Sequence, residues 1–267
     1  MDITQWIDPL VTLAEEAGRV ILEIYDTDFE VEQKDDQSPL TKADLASNAH
    51  IVAGLANLTA DMPLISEEAG LPDFEERRHW DCYWLIDPLD GTKEFVKRNG
   101  EFTVNIALIR NHVPVLGVVH VPVKGTTYIG CEGLGAERRE AGKAPCRITV
   151  AAESDRPVRV VGSRSHLGTS LNTFLEILGE YAMHPMGSSL KFCLIAEGRA
   201  DIYPRLGLTS EWDTAAAQAV VEQAGGQVLE LDGNPLSYNR KADILNPHFL
   251  VIGAQDHDWL GIAQRST

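Results

Sequence analysis

The chain is short of positive charge: 23 Lys and Arg stand against 40 Asp and Glu, a formal net charge of −17 at pH 7. General affinity for nucleic acid or an anionic membrane needs basic patches, so a nucleic-acid polymer is not an expected partner. Cysteine is scarce and scattered. Cys82, Cys131, Cys146 and Cys193 form no Cys-x-x-Cys pair, which reads as free thiols in a reducing cytosol rather than a disulfide framework. Long apolar runs are missing as well. Uncharged stretches such as His112 to Val123 carry Pro and Gly and fall far short of a bilayer span, so no transmembrane segment is expected. The opening Met1-Asp2-Ile3-Thr4-Gln5-Trp6 has neither a basic region nor a small-residue cleavage site. It does not read as a signal peptide, and a cytoplasmic location is the expectation. Internal repeats, low-complexity tracts and flexible linkers are absent too.

What is present is ordinary globular material, 267 residues with 44% hydrophobic and 24% charged, enough for one large domain or two subdomains in close contact. Ile3, Ile7, Leu10, Ala14, Ala17, Ile21 and Ile24 recur at three- and four-residue steps, which predicts an amphipathic helix from Ile3 to Tyr25. The acidic stretch Asp26 to Gln37 reads as a surface strand or loop. Thr41 followed three residues later by Asp44 fits a capping box opening a helix to about Leu58. Tyr83–Ile86, Phe102–Ile109, Val115–Val121 and Thr126–Ile129 are short apolar runs joined by tight turns at Asn111-His112 and Lys124-Gly125, the pattern of an antiparallel sheet. Beyond Cys146, strand candidates (Val158–Val161, Ala200–Tyr203, Gln227–Leu231, Phe249–Ile252) flank helix candidates (Leu167–Leu178, Leu190–Glu197, Thr214–Ala224). The expectation is an α/β protein with an α+β half over residues 1–145 and an α/β half over 146–267.

The densest chemistry lies in Trp84-Leu85-Ile86-Asp87-Pro88-Leu89-Asp90-Gly91-Thr92. An apolar strand runs into a turn where Pro88 stops the strand and Gly91 permits a backbone bend other residues resist. Two carboxylates three residues apart on a turn can converge on one point, with the Leu89 carbonyl between them. Such oxygen ligands suit Mg²⁺ rather than Zn²⁺, and no His or Cys cluster stands nearby. In isolation, Asp-x-x-Asp-Gly is more often a surface turn. Two further acidic segments accompany it: Ser66-Glu67-Glu68 upstream and Glu211-Trp212-Asp213-Thr214 before an Ala-rich run. Alone, the first reads as solvated glutamates and the second as a helix cap.

Together, in order, and ending with Ala224-Gly225-Gly226, these segments resemble the inositol-monophosphatase-like superfamily over essentially the whole chain. The resemblance implies a layered αβαβα sandwich and two or more Mg²⁺ held by Glu67, Asp87, the Leu89 carbonyl, Asp90 and Asp213. It also implies that Thr92 and Asp44 activate the attacking water, although the capping box alone would account for Asp44. Unscreened, like charges at ~4 Å cost on the order of 4 kcal/mol per pair at an effective dielectric of 20, so the cluster needs cations. Bound cations would equally explain how so acidic a chain attracts a phosphate.

Two more segments, Lys93-Glu94-Phe95 after the turn and Met186-Gly187-Ser188-Ser189-Leu190-Lys191-Phe192-Cys193 before a helix, are similar to the CysQ-type 3′(2′),5′-bisphosphate nucleotidases, as is Gly162-Ser163-Arg164-Ser165-His166. That resemblance implies removal of the 3′-phosphate of adenosine 3′,5′-bisphosphate in sulfate assimilation, with Mg²⁺ required and lithium inhibitory. Substrate contacts would come from Glu67, Leu89, Asp90, Gly91, Thr92, Ser163, His166, Gly187, Ser188, Ser189, Lys191 and Asp213. Gly187 to Ser189 at a helix start would offer N–H groups and hydroxyls to an anion, and Lys191 would reach the second phosphate. An inositol monophosphatase or broad sugar-phosphate phosphatase would share every metal ligand. A non-catalytic sensor would have lost a ligand or Thr92, and neither is missing. A homodimer and a loose association with the inner membrane stay open. Asp232-Gly233-Asn234-Pro235 reads as a hairpin turn, not a site.

Overall fold

The structure is a computed structural model that describes residues 2–33, 39–163 and 168–267. A 3₁₀ turn at Thr4–Trp6 leads into α1 (Ile7–Tyr25), followed by an exposed two-strand ribbon, β1 (Val31–Gln33) and β2 (Pro39–Thr41), and then α2 (Lys42–Leu58). Next come β3 (Leu64–Ser66), α3 (Phe74–Arg77), β4 (Cys82–Asp90), α4 (Thr92–Val96), β5 (Thr103–Arg110), β6 (Val113–Val121), β7 (Thr126–Cys131), β8 (Gly135–Glu140) and β9 (Cys146–Ile148). The remainder is β10 (Val158–Gly162), α5 (Thr169–Leu178), β11 (Tyr181–Pro185), α6 (Leu190–Ala196), β12 (Ile202–Arg205), α7 (Ala215–Gln223), β13 (Gln227–Glu230), β14 (Phe249–Ile252) and α8 (Trp259–Gln264).

Strands β3 to β9 form one seven-stranded sheet in chain order, antiparallel except for the β3–β4 pair. Asn111 and His112 both adopt positive φ at the β5–β6 turn, as a tight hairpin demands. The second sheet runs β11-β10-β12-β14-β13, with β10 parallel to both neighbours and the other pairs antiparallel. Three apolar cores fill the spaces among five layers, the middle one enclosing the central helices on both sides. Helices α1 and α2 cover one face of the first sheet through Trp84, Ile86, Val104, Ile106 and Leu108. Helices α6 and α7 lie between the sheets, and α5 and α8 cover the outer face of the second. This is the expected αβαβα order.

The middle layer is tight for a reason written in the sequence. Helix α7 opens with Ala215-Ala216-Ala217 and rests on Gly117 and Gly130 of the first sheet. A Cβ on Gly117 would lie 2.1 Å from the Ala216 carbonyl oxygen, and one on Gly130 2.4 Å from that of Ala219. Small residues on both surfaces let backbone approach backbone, and this contact fixes the depth at which Asp213, just before α7, enters the molecule.

Some elements differ from the sequence expectation. Helix α1 begins four residues later, after the 3₁₀ turn. Strand β12 lies two residues downstream of the expected start. Asp201 is fully buried; its carboxylate accepts from the backbone N–H of Arg159 (2.7 Å) and that of Asp155 (3.2 Å) and so fixes the entrance to the strand. Strands β8, β9 and β11 carry polar or mixed residues near sheet edges, where neither alternation nor an apolar run announces them.

Candidate active site: a carboxylate centre between the two sheets

Along β4, Tyr83, Leu85 and Asp87 face α6 and α7, whereas Trp84 and Ile86 face α1 and α2. In a regular strand Asp87 and Asp90, three apart, would point to opposite faces. The pairing with β5 slips between them: Asp87 sits opposite Asn105, and Asp90 opposite Thr103. One extra residue on β4 makes a bulge, which turns Leu89 into the α1–α2 core and returns Asp90 to the same side as Asp87. Gly91 then takes φ 95°, where a Cβ would lie 3.0 Å from the Glu101 carbonyl oxygen, so glycine is required there. The Asp87 carboxylate accepts from the Leu89 N–H at 3.0 Å and helps hold the turn.

Glu67 arrives by register. Strand β3 runs parallel to β4 with Ser66 beside Ile86, and the Glu67 N–H donates to the Ile86 carbonyl at 3.3 Å, so the next residue falls beside Asp87. Asp213 arrives from the other half of the chain, on a 3₁₀ turn capped by Ser210. Its Oδ2 accepts from Thr209 Oγ1 at 2.5 Å and from the Ser210 N–H at 3.0 Å. One ligand atom each from Glu67, Asp87 and Asp213 lies within 4.8 Å of the others. Asp90 lies outside that trio but near enough for its charge to raise the pKa of both aspartates.

The electrostatics are those of buried carboxylates crowded together. Burial pushes the Asp87 carboxyl well above its usual range, reinforced by the charges of Glu67, Asp90 and Asp213 and by a hydrogen bond with Glu67. Burial and the Asp90 charge raise Asp213 to about 6 against the hydrogen bonds from Thr209 and Ser210. Two carboxyl groups in hydrogen-bonding contact must share a proton or a metal ion. The donors are all oxygen, as a hard divalent cation prefers, so the residues present fit the expected group.

Asp44 closes the capping box and also reaches Thr92. Its Oδ2 closes the capping box, accepting from the Thr41 N–H (2.8 Å) and hydroxyl (2.7 Å), while its Oδ1 accepts from Thr92 Oγ1 at 3.0 Å. Leu89 O lies 3.3 Å from the same hydroxyl. The shorter contact to a carboxylate takes the single Thr92 proton, which orients the oxygen's lone pairs.

A cavity of about 520 Å³ opens from Asp90 and Asp213. Gly91, Ser163, Gly187, Ser188 and Lys191, expected to contact substrate, line it, and so do Lys93, Lys97, Tyr203, Arg205 and Leu208, to which no role had been assigned. His166 lies outside the described residues.

The anion cradle expected at Gly187–Ser189 takes a different form. The Gly187 N–H donates to Glu101 Oε2 at 2.8 Å, and the Ser189 N–H to Asp90 Oδ2 at 2.6 Å. Ser189 Oγ lies 2.7 Å from both Asp90 Oδ2 and the Asp213 carbonyl oxygen, and Asn105 Nδ2 donates to it at 2.9 Å. Ser189 therefore joins the two sides of the carboxylate centre, and its donors are not open to a ligand. Lys191 Nζ donates to the Ser188 carbonyl at 2.7 Å, at the cavity wall. Single residues such as Asn105, Thr209 and Arg205 carry no motif that sequence reasoning could have caught.

Residues 2–261 match the inositol monophosphatase family model. The chain belongs to the inositol monophosphatase family. Among curated members it is 48% identical to the 3′(2′),5′-bisphosphate nucleotidase CysQ of Escherichia coli K12, over 92% of this chain and 98% of that one. It is 36% identical to the Haemophilus influenzae CysQ, over 97% and 96%. Among solved members of the family, CysQ from Bacteroides thetaiotaomicron superposes with a TM-score of 0.81 at 41% identity, covering 93% of this chain and 98% of that one. An inositol monophosphatase from Anabaena gives 0.75 at 26% identity, covering 100% and 98%.

Proposed function

We propose that the chain is a Mg²⁺-dependent 3′(2′),5′-bisphosphate nucleotidase, converting adenosine 3′,5′-bisphosphate and water to AMP and phosphate within sulfur assimilation. The observation that carries this reading is the composition of one cavity. It joins a carboxylate centre at one end to Lys93, Lys97, Lys191 and Arg205 along its walls, while the chain as a whole is acidic. A reacting phosphate belongs with the centre and a second phosphate with the basic wall. The identity to CysQ enzymes over nearly the full length supports the same substrate.

Glu67, Asp87, the Leu89 carbonyl, Asp90 and Asp213 would hold two or more Mg²⁺. When bound, these ions supply a lowered water pKa, charge neutralisation on the phosphoryl oxygens and stabilisation of the leaving 3′-alkoxide. Thr92 Oγ1 accepts the proton of the attacking water as it passes its own to Asp44 Oδ1. The P–O3′ bond then breaks, the ribose oxygen takes up a proton from solvent water, and Asp44 returns its own proton to solvent. Ser189 and Asn105 keep Asp90 aimed at the centre, and Thr209 does the same for Asp213. Ser163, Gly187, Ser188 and Lys191, with His166, contact the nucleotide. Lys191 exchanges the Ser188 carbonyl for the second phosphate. The substrate lies between residues 1–145 and 146–267. Cytoplasmic location and inhibition by lithium belong to the same reading.

The test is a comparison of kcat/KM for adenosine 3′,5′-bisphosphate and inositol 1-phosphate, with Mg²⁺, with Mg²⁺ plus Li⁺, and in EDTA. The nucleotide should win by more than about tenfold, a transition-state difference above ~1.4 kcal/mol. A tenfold preference for the inositol ester would assign the pocket to a polyol phosphate instead.

A further inference from the structure

Leu208 is out of place for an ordinary surface leucine. It is 71% exposed, whereas the next most exposed large hydrophobic residue among those described, Leu45, is 48% exposed. It also lines the cavity that opens from Asp90 and Asp213. Nor is the exposure that of a slack loop. The Arg205 guanidinium donates to the carbonyl oxygen of Leu208 itself. On the other side, the Asn246 N–H donates to the Thr209 carbonyl at 2.8 Å, and the Thr209 hydroxyl to Asp213 at 2.5 Å. Leu206, two residues back, packs against the core of the outer sheet. The backbone is thus tied down on both sides of one apolar side chain, which is presented to the cavity and coupled through Thr209 to the carboxylate centre. An apolar side chain held in water forgoes its burial energy unless a ligand covers it.

Resting on the nucleotidase reading above, we infer that Leu208 is the platform for the nucleobase and so determines specificity for nucleotides over base-free phosphate esters. The two phosphates account for the charged parts of the cavity and leave the flat, apolar face of a purine without a partner. Leu208 supplies one on a wall that also carries Arg205 and Tyr203. A polyol phosphate has no comparable apolar face and gains nothing there.

The experiment measures KM and kcat for wild type, Leu208→Ala and Leu208→Phe on two substrates: adenosine 3′,5′-bisphosphate and the abasic 3,5-bisphosphate of 1,2-dideoxyribose. Wild type should favour the nucleotide in KM. Leu208→Ala should shrink that preference by roughly five- to tenfold, the order expected for losing part of a leucine contact, and Leu208→Phe should keep it. The inference is overturned if Leu208→Ala changes both substrates alike or leaves the preference intact. It is equally overturned if the substitution alters only the oligomeric mass, which would give this surface to a second copy of the chain. Failure of the nucleotidase reading would show separately, as wild type that hydrolyses neither bisphosphate, and the platform would fall with it.

Discussion

Asp90 is held from two directions, receiving donors from Ser189 of the far half and Asn105 of the adjacent strand. Asp90→Asn keeps the shape and removes one anionic oxygen. Turnover should fall by more than about 100-fold, beyond the usual loss for a residue merely supporting a metal ligand. Circular dichroism should stay unchanged. Wild-type-like phosphate release from a folded Asp90→Asn protein would discredit the centre. Thr92→Val should lower kcat by roughly 10²–10⁴-fold, the range for a lost proton-transfer group, while Thr92→Ser stays within about tenfold of wild type. Equal loss in both variants would show that Thr92 matters for packing, not for its hydroxyl. At this scale the sequence was legible where residues cluster: Asp87 to Thr92 form a contiguous motif whose turn chemistry is visible without a fold. Asn105 and Ser189 act through contacts spanning 84 and 99 positions in sequence. No local pattern encodes such contacts, and for Ser189 the local pattern pointed to a helix-start anion site.

Helix α7 and the sheet beneath it form the element on which the geometry depends. Gly117→Ala would drive a methyl into the Ala216 backbone, which flexible side chains cannot relieve. A loss of about 1–3 kcal/mol in unfolding free energy is expected, as for overpacking, together with a raised Mg²⁺ requirement because Asp213 shifts with the helix. Loss of stability without any change in the Mg²⁺ requirement would mean that the helix does not set the ligand's position.

On the other face of the sheet, His120 of β6 meets α1 at Gly18 and shares a hydrogen bond with Thr127 at 2.8 Å. Burial lowers its pKa to about 4 from an unperturbed 6.5. The unfolded chain therefore binds the proton more readily. Its contribution to stability is intact above pH 6.5 and is lost as pH falls towards 4, by at most about 3 kcal/mol. Urea melts of wild type and His120→Gln between pH 7 and 4.5 isolate this from other groups: the stability difference between them should shift in the variant's favour on acidification. A difference independent of pH would contradict it. The long strands and amphipathic helices were readable because their periods match burial on one or two faces. Polar edge strands such as β8 and β11 are held by their neighbours' hydrogen bonds, which the sequence does not display.

For the whole molecule, the acidic composition looked at odds with an anionic substrate, and the layered fold resolves it. Carboxylates from both halves meet between the sheets, and Lys93, Lys97, Lys191 and Arg205 collect on one cavity. Layer order was legible because the resemblance spanned the chain. Of the cavity's basic and apolar walls only Lys191 was, since the rest assembles from α4, the end of β12 and the loop that follows it. Divalent cations that bind the folded chain alone should stabilise it by about 2.7 kcal/mol at a hundredfold excess over Kd, a rise of roughly 5–10 °C in Tm. A melting temperature unmoved by saturating Mg²⁺ would count against the centre.

The decisive quantity is the initial rate of phosphate release from adenosine 3′,5′-bisphosphate as free Mg²⁺ is varied through an EDTA buffer. The rate should rise from background to a plateau and return to background when the metal is withdrawn. Undiminished hydrolysis in excess EDTA, or none at saturating Mg²⁺, would contradict a reaction built on cations held by Glu67, Asp87, Asp90 and Asp213.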